Sequence, residues 1–156
     1  KLHNGILLDG RDPYPPNKPY YDSAFRRRFG GQGAAFNSTD DNVTLEFGGP
    51  SHQIQRQCSI EYGQIVLTDR VVGDGTHLLE RRLHTPFGPR QTERGVWIKT
   101  PRHNFLIEAA GASDISIQET KLWDAYGRAR PGFAINFSCR AKLPWSGTTT
   151  IEFKGV

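Results

Sequence analysis

Along most of the chain apolar and polar residues alternate with a period of two, the signature of strands that bury one face. In residues 42–47, Val43, Leu45 and Phe47 share one face, while Asn42, Thr44 and Glu46 take the other. In residues 132–140, Phe133, Ile135, Phe137 and Cys139 point one way and Ala134, Asn136 and Ser138 the other. Ile54, Cys58, Ile60 and Tyr62 share a parity that Arg56 interrupts, and Ile151 and Phe153 alternate with Thr150 and Glu152. Further strands are expected over 64–68, 70–72, 77–83, 95–100, 105–108 and 114–118. Turn chemistry at Tyr62-Gly63, Asp74-Gly75, Pro86-Phe87-Gly88-Pro89, Pro101 and Gly111 separates them. The one helical candidate is 119–126, stopped by Gly127. About nine short strands at close spacing predict an all-β fold. It is an antiparallel β-sandwich or compact barrel with at most one short helix.

The length of 156 residues fits one domain with room for a core. No internal repeat or second domain is visible. Residues 1–41 read as a proline- and glycine-rich arm packed on the sandwich, with Pro13, Pro15, Pro16 and Pro19 imposing extended backbone. At 36% hydrophobic and 11% aromatic, the chain is too rich in core formers for a disordered tail. No run approaches the roughly 18 apolar residues of a membrane span.

The chain begins at Lys1 and contains no methionine, which predicts a processed or trimmed N-terminus. Three of its six asparagines, Asn37, Asn42 and Asn136, stand in Asn-x-Ser/Thr sequons. Together they predict secretion and N-glycosylation. Cys58 and Cys139 fall on apolar faces, whereas Asn42 and Asn136 fall on polar ones. A buried disulfide between the sheets and outward glycans share that register, and a slip of one residue breaks both. Such a bridge would close a loop of about eighty residues and stabilise the fold by up to ~4.5 kcal/mol. Two buried free thiols are the alternative.

Charge sharpens the picture. The net charge is +4, and arginines outnumber lysines fourteen to six, which favours bidentate contacts to carboxylate, sulfate or phosphate. Within 81–103, Arg81, Arg82, Arg90, Arg94, Lys99 and Arg102 stand against Glu93 alone. If that segment shares one face, it forms an anion-attracting surface with Trp97 as its aromatic member. Otherwise, alternation sends half of these arginines to the opposite face or into ion pairs. Trp123, followed by Tyr126 and Arg128, is either a lid over the core or a stacking platform for a sugar or a partner side chain.

The parts of a metal-independent acid–base site are present. His84 and His103 supply the acid and base, with Glu80, Glu93 or Glu108 beside them and Arg82 or Arg102 to stabilise developing charge. No spacing ties these groups together. There is no HExxH, no second cysteine pair and no P-loop or nucleophile elbow, so no metal or other cofactor is expected.

An immunoglobulin pattern would place a tryptophan soon after Cys58 and a tyrosine two before Cys139, but Phe137 stands there. Short, basic, β-rich and cysteine-poor, the chain is similar in general type to small secreted effectors. The expectation is a secreted protein that acts by binding a host or partner protein or an anionic glycan surface. The contacts fall to Arg81, Arg82, Arg90, Arg94, Arg102, Trp123, Tyr126 and Arg128. Nucleic acid is the lesser alternative ligand. The alternative functions are a ribonuclease-type hydrolase using His84, His103, Glu93 and Arg102, and a structural extracellular component that self-associates along a sheet edge.

Overall fold

The computed structural model describes residues 4–11, 23–24, 34–48, 52–125 and 127–155. Its strands are β1 (Gly5–Leu8), β2 (Ala35–Ser38), β3 (Asn42–Gly48), β4 (Gln53–Glu61), β5 (Gln64–Val72), β6 (Thr76–Thr85), β7 (Pro89–Gln91), β8 (Val96–Lys99), β9 (Asn104–Ala109), β10 (Asp114–Ala125), β11 (Arg128–Lys142) and β12 (Trp145–Lys154). They form two antiparallel sheets. The smaller has the order β1-β6-β11-β10, the larger β2-β3-β4-β5-β12-β9-β8-β7. The protein is therefore the all-β sandwich that the alternation predicts. Residues 64–68 and 70–72 belong to one strand. Among the described residues no helix is long and apolar enough to cross a membrane. Of the N-terminal arm, β1 joins the small sheet and β2 edges the large one. Its prolines and the Arg26-Arg27-Arg28 run lie outside the described residues.

The helix expected over 119–126 is a strand instead. β10 pairs with β11 residue for residue from Asp114↔Ser138 to Trp123↔Ala129, with a register shift between Trp123 and Ala125. Gly127, at φ +75°, supplies the left-handed residue of the turn. Helix propensity over so short a stretch is a weak force, and cross-strand pairing overrides it.

The core divides in two. One cluster joins Ile6, Leu8, Ile54, Val71, Leu79, Cys139 and Leu143, with Trp145 packed against it. The other joins Val96, Ile98, Ile107, Ile135 and Phe137, flanked by Leu83, Phe105 and Ile151. Arg81 stands between them, sharing the inward face of β6 with Leu79 and Leu83. Its Nη1 donates to Thr148 O at 2.7 Å and Thr149 Oγ1 at 3.3 Å, and its Nη2 donates to Ala110 O at 2.7 Å. The guanidinium also lies 5.5 Å from the Trp145 ring, and burial holds its pKa below the ordinary value. Beside it Asp69, fully buried, accepts a two-pronged contact from Arg56 at 2.6 and 2.8 Å. Arg81, expected on a ligand-binding surface, is therefore a tie between the sheets at 2% exposure.

The expected disulfide is absent, and both cysteines are free thiols. The parity was right, since each lies on the inward face of its strand, but the position along the strands was not. Cys139 packs in the cluster that contains Ile54. Cys58 lies four residues beyond Ile54 on β4, about 13 Å along the strand, opposite Val43 and Leu67. A disulfide needs Cα atoms within about 7 Å.

Candidate ligand-binding site

The two ends of the sandwich are built differently. Toward one end the described chain crosses between sheets three times, through 73–75, 110–113 and 143–144, and Leu143 N donates to Gly75 O at 2.9 Å. Asp9 adds a second tie: its Oδ1 accepts from Leu78 N at 2.9 Å, and its Oδ2 lies 2.8 Å from His77 Nδ1. The other ring nitrogen of His77 lies 2.9 Å from Asp74 O. Both nitrogens face acceptors, an arrangement that favours the doubly protonated imidazolium. The Asp9 hydrogen bond raises the His77 pKa, and the same bond lowers that of Asp9. His52, edge-on to His77 at 5.1 Å, is pushed down by burial and by its charged neighbour. This end is closed.

At the opposite end the sheets part around a cleft of about 260 Å³. The small sheet contributes Leu83, His84, Thr85 and Ile135, and the large sheet Ile98, Thr100, Phe105, Ile107 and Ile151. Asn4, Pro86 and Phe87 complete the lining. Alternation places these side chains: Leu83 and Thr85 follow Arg81 on the inward face of β6, and Ile98, Phe105, Ile107 and Ile151 lie on the inward faces of β8, β9 and β12. The 100–103 turn between β8 and β9 is held by Thr100, whose Oγ1 donates to His103 O at 2.8 Å and accepts from His103 N at 3.0 Å. Phe105 packs edge-on against Phe153 at 5.2 Å and His103 at 6.3 Å.

Asn4 fixes His84. The backbone N–H of His84 donates to Asn4 Oδ1 at 2.8 Å, which sets the orientation of the amide. His84 Nδ1 lies 3.1 Å from the same oxygen, so the Asn4 amide meets both the backbone and the ring of His84.

The β10–β11 hairpin continues past the end of β6. Thr85 pairs with Phe133, whereas the hairpin runs on to the Trp123↔Ala129 and Ala125↔Arg128 pairs. Trp123 thus lies about 13 Å along the strand from Glu119, the partner of Phe133. Trp123 on this arm is 53% exposed, and Lys121 and Arg128 are exposed as well. Lys99 and Arg102 are exposed on or beside the 100–103 turn. Glu119 is exposed there too, and Glu152 is occupied by Lys154.

The candidate site residues divide accordingly. Arg102, His103, His84, Trp123 and Arg128 gather at the open end, and Tyr126 lies outside the described residues. Arg82 lies on the outer face of the small sheet, donating to Asn136 Oδ1 at 2.6 Å with Glu80 at 3.9 Å. Arg90 shares the outer face of the large sheet with its partner Trp97. Arg94 holds Glu108 through two nitrogens, the closer at 3.0 Å. Glu93 sits in the turn before β8, at the opposite end of that strand from the 100–103 turn, and so away from both histidines. The 81–103 segment is therefore not one continuous face: alternation and a sheet crossing send its cations in four directions.

Of the sequon residues, Asn37 is exposed on β2 and Asn42 is half-buried. Asn136 is 3% exposed, and its Nδ2, the atom a glycan would occupy, donates to Ser116 Oγ at 3.3 Å. Its outward parity holds, but Arg82 and Ser116 occupy the amide on both sides. Asn136 is not an acceptor in the folded chain. Asn4, Thr100 and Phe105 carried no sequence signal as site residues, because nothing local to them reports which strand ends meet.

The sequence matches no family model, and no curated protein matches it. Among solved structures it is similar to the heparan sulfate lyase HepC of Pedobacter heparinus, with a TM-score of 0.69 at 16% identity over 99% of this chain and 24% of that one. It is similar to a heparinase III, with a TM-score of 0.69 at 10% identity over 99% of this chain and 23% of that one. A putative aldose 1-epimerase of Escherichia coli K12 aligns with a TM-score of 0.53 at 9% identity, over 98% of this chain and 79% of that one. At these identities the likeness shows a shared fold. The chain spans about a quarter of the length of the two lyases it matches.

Proposed function

We propose that the protein binds an anionic glycan at the open end of the sandwich, in the extracellular setting that its sequons predict. One observation carries this reading: the end where the sheets part carries exposed Lys99 and Arg102 on or beside the 100–103 turn, and the hairpin arm that runs past that end carries exposed Lys121, Trp123 and Arg128. Guanidinium groups hold sulfate or carboxylate in bidentate fashion, and an indole face stacks on the CH face of a sugar. The heparan sulfate lyases among the structural neighbours support the same ligand class. The test is calorimetric titration with a heparan sulfate hexasaccharide and its desulfated form. Sulfate-dependent binding is expected, weakened by salt and by about tenfold in Arg102→Ala or Arg128→Ala, the loss of one charged hydrogen bond. Equal binding of both sugars, or of neither, contradicts the proposal.

A second reading rests on the Asn4–His84 pair. Asn4 holds His84 at the cleft, where an imidazole can exchange a proton, and His103 stands on the adjoining 100–103 turn as a second acid–base group. This is the metal-independent hydrolase without Glu93. It predicts turnover of RNA or glycan that His84→Ala abolishes while ligand affinity persists.

A further inference from the structure

The cleft itself is the wrong chemistry for a saccharide. Most of its walls are apolar, Leu83, Ile98, Phe105, Ile107, Ile135 and Ile151 among them, with Asn4, His84, Thr85 and Thr100 as the polar minority. Ile107 and Ile135 are 4% and 0% exposed and form its floor, whereas Asn4 is exposed at the mouth. Walls so largely apolar offer sugar hydroxyls too few partners, so burying several of them there costs free energy. At about 260 Å³ the cleft falls just below the ~300–1,000 Å³ of pockets that enclose whole small molecules. It is too small for a run of pyranose rings. An unbranched hydrocarbon chain fits both its size and its chemistry.

The surroundings decide what such a chain is attached to. Arg102 and Lys99 stand at the turn that forms one lip, and the hairpin arm brings Lys121 and Arg128 beyond the other. Cations at the mouth of an apolar cleft complement an anion joined to a hydrocarbon. We propose that the cleft holds a single alkyl or acyl chain whose anionic saccharide head group lies at the basic mouth. This rests on the anionic-glycan reading for the head group and adds the chain. The ligand class is thereby narrowed to acidic or sulfated sugars that carry an aliphatic substituent.

The test titrates the protein with methyl, butyl, hexyl and octyl β-D-glucuronides below their critical micelle concentrations, with methyl-resolved NMR detection. Affinity is expected to rise about fourfold per added methylene until the cleft is filled, equivalent to about 0.8 kcal/mol each. The isoleucine methyls at 98, 107 and 135 are expected to shift most. Leu83→Phe, which fills part of the cleft, is expected to flatten the series. An octyl glucuronide that binds no tighter than the methyl one, or that shifts methyls elsewhere, overturns the proposal. So does uncharged octyl glucoside binding as tightly as octyl glucuronide, since the head group would then play no part. The heparan sulfate hexasaccharide is a separate arm. If it fails to bind while the chain-length series holds, the sulfated-glycan reading falls and the cleft assignment stands.

Discussion

The two ends of this sandwich are made from the same alternating strands, yet one is sealed and the other open. At the sealed end the 73–75 and 143–144 crossings are joined by Leu143 N to Gly75 O, and Asp9 ties the end of β1 to β6. At the open end the chain crosses through Pro86-Phe87-Gly88, the 100–103 turn stands on the other sheet, and the β10–β11 hairpin extends past β6. Nothing in the strand pattern distinguishes the ends. What differs is whether neighbouring connections bond to each other or diverge, and a cleft opens where they diverge.

Arg81, on the boundary between the two core clusters, should give the largest response to mutation. Arg81→Ala strands the Thr148 and Ala110 carbonyls and empties a large side-chain volume, for an expected loss of about 4 kcal/mol in urea unfolding. Arg81→Met, which restores much of the volume, should recover part of it. An unchanged midpoint in Arg81→Ala would remove the tie from the account.

Truncation then compares the ends directly. Leu79→Ala in the sealed cluster leaves an enclosed void and should cost about 3 kcal/mol. Phe105→Ala at the cleft wall only widens an existing opening and should cost about 1.5 kcal/mol. Equal losses would mean that the cleft is packed like the core.

A pH effect should be confined to the sealed end. The stabilisation from His77 is complete below its ordinary value of 6.5 and is lost as pH rises through its raised folded-state pKa. That from Asp9 is complete above its ordinary value of 3.8 and is lost as pH falls through its lowered one. The tie therefore contributes most between pH 3.8 and 6.5. Asp9→Asn should remove both limbs from the curve of thermal midpoint against pH. A variant whose curve parallels that of the parent would show that the pair does not stabilise the fold.

The thiols give the smallest signal. Alkylation should find two free cysteines, with half-buried Cys58 modified first. Cys139 is buried and its thiol pKa raised by desolvation, so it should react on unfolding. A mass two hydrogens below that of the reduced chain would restore the disulfide.

The fold class and the faces of individual strands were legible because alternation is local. The inward parity of Cys58 and Cys139 and the outward parity of Asn136 held, whereas at the start of β3 Asn42 buries its amide oxygen and Val43 is exposed. Position along a strand is not local, so the alternation did not reveal that Cys58 and Cys139 stand apart. The same pattern also placed Arg81 on the parity of Leu79 and Leu83, and that cue outweighed its charge. The candidate site was legible only in part. Arg102, His103, His84, Trp123 and Arg128 were found by residue type, whereas their meeting at one end depends on β6–β11 and β8–β9 pairings that no local pattern encodes. Asn136 shows the reverse limit, since its outward face is itself occupied by Arg82 and Ser116.

The central claim is that ligand binds at the open end, and amide chemical-shift mapping with the heparan sulfate hexasaccharide tests it most directly. The account predicts shifts concentrated in the 99–104 turn and along 121–130 of the hairpin arm, with the Asp9–His77 end silent. Shifts centred instead on Arg90 and Trp97 across the outer face of the large sheet, or no shifts at all, would contradict it.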